Sequence, residues 1–266
     1  MTDADLPMVD VSGQLPEAVT VHPVSSREEL EQAFRLVYSS YLQRGYLVAD
    51  PSEIRLGIHN MLPETATFVG LIRGEVIATV TVVPDSPIGL PMDEVYHDKT
   101  QALRDSGRTI SEVTMLADRR LEIRRTLPML MNLMKYVFDY ATLVLKANDL
   151  CITINPRHEA FYRRYLLFAD MGEERSYHSV QDNPALAKRL NLDTVWEACS
   201  DSRLLQRVFF EERTAVSEFE NRYALTCDDL HYFGFELTSV LRNPDPNEMD
   251  YLRDTHPSCP WDRWSS

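Results

Sequence analysis

The stretch from Gly107 to Lys146 constrains this chain more than any other, because it sets one acidic residue inside a strand that runs into a long apolar helix. Ile110, Val113 and Leu116 alternate with Thr and Ser behind Gly107, which predicts a strand over Thr109 to Leu116. Leu127, Leu130, Met131, Met134, Val137, Phe138, Ala141 and Leu145 then recur at steps of three and four, a helix stripe. Thr126 is the expected cap, and Pro128 fits the first turn, where its missing amide costs no bond. The first amides of such a helix point into the preceding loop and favour an anionic group there. Glu112 interrupts the strand, and Arg119, Arg120, Arg124 and Arg125 crowd the connection. The candidate site is therefore assigned to this stretch.

Composition narrows the class. The longest apolar run, Val76 to Val83, is too short to span a bilayer, and the acidic N-terminus lacks a signal-peptide pattern. Residues 1–17, punctuated by Asp, Pro and Gly, are expected to be disordered. A net charge of −14 argues against nucleic acid as a partner, although a local basic patch remains compatible with it. Cys151, Cys199, Cys227 and Cys259 are widely spaced, with no pair at metal-ligand separation, so no metal site is expected. Reduced thiols in a cytoplasmic protein are the corresponding expectation.

Taken in order, Val19 to Val24 reads as a strand, and Ser25-Ser26 caps a helix with Leu30, Phe34, Val37, Tyr38 and Tyr41 as its stripe, ended by Gly45. A second short helix is expected from Asp50-Pro51-Ser52, carrying Ile54, Ile58, Met61 and Leu62. Thr67 to Arg73 and Glu75 to Val83 flank Gly74 as a hairpin. A Pro-rich loop precedes a helix over Asp93 to Asp105. After the central strand and helix come a strand at Leu150 to Ile154, a helix in RHEAFYRRYLLF, a strand at Arg175 to Val180 and a helical piece at Pro184 to Leu190. From residue 193 to 266 the pattern is helical, with no clear strand. The predicted class is α/β (α+β): a main domain over residues 18–192 with a mixed twisted central sheet and helices on both faces, then a C-terminal helical appendage over 193–266.

This order, with Glu112 before the long helix and Asn155 through Tyr162 after the next strand, resembles the GCN5-related N-acetyltransferase (GNAT) fold. The segments FRLVYSSYLQRGYL, PETATFVGLIRGEVIATVTVVPDSPIGLPMDEVY, LRDSGRTISEVTMLADRR and INPRHEAFYRRYLLF are closer to the FeeM-type N-acyl amino acid synthases, relatives of the acyl-homoserine-lactone synthases. The resemblance implies transfer of a long-chain fatty acyl group from acyl carrier protein to the amine of an amino acid. The acyl-phosphopantetheine arm would be the donor and no further cofactor would be needed. Three departures qualify it. Acetyltransferases carry a Gly-rich loop before the long helix to cradle coenzyme A diphosphate, whereas ADRRLEIRR here contains no glycine. Homoserine-lactone synthases follow the strand Glu with Ser-Arg, where this chain has Thr114-Met115. Leu167-Phe168 also stands where the superfamily has Gly-Phe.

Amide formation from a thioester needs a neutral amine, and an α-amine with pKa near 8 is about one-tenth neutral at pH 7. Glu112 is the candidate base; the plainer reading is a strand carboxylate paired with an arginine. The resemblance implies Tyr162 as the proton donor to the leaving thiolate, against a core tyrosine as the plainer reading. Thr114, Met115, Leu116, Arg119, Arg120, Arg124 and Arg125 are assigned to the acyl-pantetheine arm, and Tyr38 and Asp85 to the acceptor. Asp85 beside Pro84 and Pro87 also suits a turn, and an arginine run is more often a solvated loop. His158 is expected to pair with Glu159, and Met129, Met131 and Met134 to lie in the core or line an acyl tunnel. The competing functional readings are a catalytically idle module that binds acyl carrier protein or lipid, and a homoserine-lactone-type signal synthase. A lipid product would also bring the protein to a membrane surface for release.

Overall fold

The computed structural model describes residues 19–119, 123–200, 202–211 and 213–264, without the side chains of residues 123–127, 204, 207 and 208. The expected disorder of residues 1–17 lies outside the described residues.

Eight strands form the sheet: β1 (Val19–Pro23), β2 (Ala66–Ile72), β3 (Glu75–Pro84), β4 (Ile110–Asp118), β5 (Asp149–Ile154), β6 (Ala169–Asp170), β7 (Arg175–Tyr177) and β8 (Asn183–Asn191). Their order is β1-β2-β3-β4-β5-β8-β6, with β7 also paired to β8. All pairs are antiparallel except β4–β5, which is parallel. The β2–β3 hairpin turns at Arg73-Gly74, both at positive φ (54° and 80°), the geometry a two-residue hairpin turn requires.

Two helices cover opposite faces. Helix α1 (Arg27–Gln43) is capped by Ser26, whose hydroxyl accepts from the Glu29 amide, and packs on β3 and β4. Helix α2 (Asp93–Asp105) follows the Pro-rich loop. Helix α3 (Ile123–Asp139) packs on β1, β2 and β3 from the other side and widens into a π-turn over Tyr140–Val144. Helix α4 (Glu159–Leu166) follows β5. Strand alternation sorts side chains between the faces: Phe68 and Val80 join the α3 core, Val69 and Val76 the α1 core.

The remaining helices are α5 (Val195–Cys199), α6 (Arg203–Phe209), α7 (Val216–Glu220), α8 (Cys227–His231), α9 (Pro246–Thr255) and α10 (Trp261–Trp264). They are built into both cores: Val195, Cys199, Phe209 and Phe219 pack with α3, while Leu230, Phe233, Leu252 and Trp261 pack with α1. Among the described residues no helix is long and apolar enough to cross a membrane.

Five expectations are corrected. Pro184 to Leu190 is not helical but the middle of β8, which pairs with β5 over Leu186 to Asn191 and with β7 before that. Leucine and alanine favour a helix locally, but β5 would otherwise expose an unsatisfied buried edge, so tertiary pairing overrides propensity. Pro184 sits at the second residue of the strand, where a missing donor is tolerated. The helix expected from Asp50 is a turn followed by one 3₁₀ turn, Ile58–Met61, because Glu53 takes a left-handed φ of 53°. The strand expected to reach Val180 stops at Tyr177 and gives way to a 3₁₀ turn. Thr126 does not start α3, which begins at Ile123 with Pro128 inside it; proline's fixed φ is itself helical, so only one bond is lost. Cys227 and Cys259 are joined in a disulfide, which corrects the expectation of reduced thiols for that pair.

Candidate active site at the gap between β4 and β5

β4 and β5 are paired only at Ile110↔Asp149, Ser111↔Leu150 and Glu112↔Cys151. Beyond Glu112 the two strands diverge. A bulge drives the divergence: Thr81 faces Thr114 and Thr79 faces Ala117, so Met115 and Leu116 together oppose Val80. Met115 takes a φ of 54°, costly for a residue with a side chain, and Asn60 Nδ2 lies 3.0 Å from its sulfur.

Glu112 stands at the last paired position and is 2% exposed. One carboxylate oxygen accepts a 2.7 Å bond from the Met92 amide, at the N-terminus of α2. Among the described residues no cation lies within ion-pair distance, so the arginine pairing expected as the plainer reading is not found there. Burial pushes the Glu112 carboxyl up to about 8, against the Met92 bond, and the negative charge of Asp93 adds to the rise. A carboxylate with that affinity for protons suits a general base near neutral pH.

Two cavities meet at the gap. One of about 690 Å³ is lined by Glu112, Arg55, His59, Tyr177 and the segment Val240 to Glu248. The other, about 460 Å³, is walled by Val113, Leu116, Leu130, Leu133, Met134 and Ile152, with Tyr162 at its side. Tyr41, Tyr46, Thr114, Met115, Thr153, Ile154 and Asn155 line both, so the cavities adjoin at the parted strands. The apolar chamber and the more polar one thus share one wall.

The expected residues distribute unevenly. Thr114, Met115 and Leu116 lie at the gap, and burial among apolar neighbours raises the Tyr162 phenol, holding it protonated. Asp85 lines neither cavity: Arg104 donates two 2.8 Å bonds to its carboxylate and another to Asp93, fastening the Pro-rich loop to α2. Tyr38 also lines neither; its buried hydroxyl accepts from the Asp50 amide at 2.8 Å and donates to the Asp50 carbonyl. Tyr38 anchors that loop, whereas Tyr41 and Tyr46 reach the cavities. Arg119 pairs with Glu75 on the surface. Arg120 and the Arg124 and Arg125 side chains lie outside the described residues. His158 meets Arg157 rather than Glu159, which bonds Lys188, and only Met134 of the three methionines lines a cavity.

Sequence reasoning missed Arg55, Thr153 and the Val240–Glu248 wall. Arg55 follows an irregular loop with no periodic signal, and the C-terminal wall reaches the site only through folding. Thr153 Oγ1 is buried without a hydrogen-bond partner at the gap.

The family model for N-acyl amino acid synthase FeeM matches residues 32–191, more than half of the chain. The solved structure of FeeM, an N-acyl amino acid synthase from uncultured soil microbes, is similar at TM-score 0.59 and 27% identity, over 71% of this chain and 97% of that one. BjaI, a CoA-dependent acyl-homoserine lactone synthase solved with SAM and isopentyl-CoA, shares the fold at TM-score 0.54 and 13% identity, over 80% of this chain and 97% of its own. The AHL synthase LasI does so at TM-score 0.50 and 14% identity, over 74% and 96%. Comparison with curated proteins gives no significant match. With its mixed sheet parted beside Glu112, this chain belongs to the FeeM N-acyl amino acid synthase family, N-acyltransferases with a GNAT-like fold.

Proposed function

We propose that this chain transfers a long-chain fatty acyl group from the phosphopantetheine thioester of acyl carrier protein to the amine of an amino acid. The meeting of an apolar cavity and a more polar one at the β4–β5 gap, with Glu112 at the last paired position and lining the larger of them, is the observation that carries this reading. The acyl arm occupies the apolar chamber, and the amino acid enters the polar one. Their reacting atoms meet beside Glu112, Thr114 and Met115.

The amine nitrogen attacks the thioester carbonyl while Glu112, directly or through water, takes the proton that nitrogen sheds. The C–S bond then breaks, and the departing thiolate takes a proton from the Tyr162 phenol, which solvent restores. An α-amine with pKa near 8 matches a carboxyl raised to about 8, so proton transfer between them is nearly balanced in energy. Beyond Glu112 the backbone of β4 leaves its pairing with β5, and an amide freed there would stabilise charge developing on the thioester carbonyl. No step needs a metal or an organic cofactor beyond the donor's own arm.

Carrier protein is favoured over coenzyme A as donor by ADRRLEIRR, which offers no glycine for a close diphosphate cradle. A pantetheine arm on a carrier brings one phosphate and a folded protein that can dock on the surface. The test is incubation of the purified protein with a long-chain acyl carrier protein and mixed amino acids, followed by mass spectrometry. An N-acyl amino acid formed with release of free carrier thiol is the expected result. Tight binding of acylated carrier with no amide product would instead establish the idle-module reading.

A further inference from the structure

We propose that Arg55 binds the acceptor's α-carboxylate, so that the enzyme accepts free amino acids and discriminates against their amides and esters. This rests on the acyltransfer reading above and adds the group that selects the acceptor.

Among the described residues lining the larger cavity, the chamber that also holds Glu112, Arg55 is the one arginine or lysine. Its Nη2 donates to the Ser179 carbonyl at 3.4 Å, a long bond, and no carboxylate lies within ion-pair distance of it among the described residues. The other charges of that wall are committed or anionic. Arg104 holds Asp93, and the Ser179 amide and hydroxyl hold Glu94. Burial lowers the affinity of His59 for a proton, which keeps it neutral. Asp245 and Glu248 are carboxylic side chains on the same wall, as is Glu112. A half-buried guanidinium with open donors in such a chamber is suited to a ligand carboxylate, which it can grip with two parallel bonds.

The backbone supports this role. Ile54 and Leu56 on either side are buried, and the Arg55 amide donates to the Phe34 carbonyl of α1. The residue is therefore anchored on a rigid helix. Arg55 and Glu112 both line the larger cavity, together with Tyr41 and Tyr177. An α-amino acid carries a carboxylate and an amine on one carbon, which suits a cation and a base facing one space.

The test compares a free amino acid with its carboxamide as acceptors in wild type, Arg55→Gln and Arg55→Lys, with folding verified by circular dichroism. Wild type should prefer the acid. Arg55→Gln should raise KM for the acid about 10- to 100-fold with kcat little changed, as expected for one charge-assisted pair. It should leave KM for the amide unaltered, and Arg55→Lys should recover part of the loss. Wild type using acid and amide equally well would overturn the proposal even if Arg55→Gln failed to fold. An unchanged acid-to-amide ratio in Arg55→Gln would do the same while leaving acyltransfer intact. Acylation of neither acceptor by wild type would remove the acyltransfer reading, and this proposal with it.

Discussion

Glu112→Gln should move activity and stability in opposite directions, because the same burial that makes this carboxylate a strong base makes its charge costly. The folded carboxyl ionises near 8 and the exposed group at 4.5. Between those values the native chain holds a proton that the unfolded chain has released. Stability therefore falls as pH rises through that window and levels off above about 8. At about 1.4 kcal/mol per decade, the penalty reaches about 5 kcal/mol at alkaline pH, of which about 3 kcal/mol is present at pH 7. Glutamine keeps the shape, and its carbonyl oxygen can still accept from the Met92 amide, but it never ionises. Urea unfolding of both proteins at pH 5, 7 and 9 isolates this effect as a difference in slope, whatever constant cost the new amide donor adds. Wild type should lose about 4 kcal/mol across the range relative to the variant. Over the same range wild-type kcat/KM should rise toward pH 8, while the variant should be at least tenfold slower and lack that inflection. Parallel stability curves would refute the buried-base argument. Full turnover by a folded Glu112→Gln between pH 6 and 9 would refute the catalytic assignment even if the stability difference were present.

The remaining predictions concern donor, docking and architecture. Coenzyme A thioesters should be poorer donors than the same acyl group on carrier protein, and equal kcat/KM for both would remove the inference drawn from the glycine-free loop. Arg124→Glu with Arg125→Glu should raise KM for acylated carrier most at low salt, since exposed pairs contribute only about 0.2–1 kcal/mol each and are screened. Turnover of a short pantetheine thioester should stay unchanged, and equal loss with both donors would exclude docking as the cause. The Cys227–Cys259 bridge closes a sequence separation of 32 residues, so replacing both cysteines by serine should cost about 3–4 kcal/mol of unfolding free energy. Denaturant midpoints that do not differ between the two proteins, or between oxidising and reducing buffer for wild type, would count against a bridge that stabilises the fold.

What the sequence determined by itself is the part written in local chemistry. Ser26 before two glutamates, the Arg73-Gly74 turn between β-branched runs, and the apolar stripe of α3 each favour one conformation from a few neighbouring residues. Glu112 was legible too, since a carboxylate in an apolar strand stands out before any fold is known. The structure alone decided what depends on partners far along the chain. β8 reads as helix until β5 supplies an edge that must be paired. The bulge at Met115 and Leu116 appears only against the register of β3, and it is this bulge that opens the gap. Asp85 looked available until Arg104, nineteen residues on, took its carboxylate. Arg55 and the wall from Val240 to Glu248 come from segments on either side of the central strand and helix. Local propensity is fixed by the side chain and its immediate backbone, whereas pairing register, cavity walls and carboxyl basicity are set by whatever burial brings alongside.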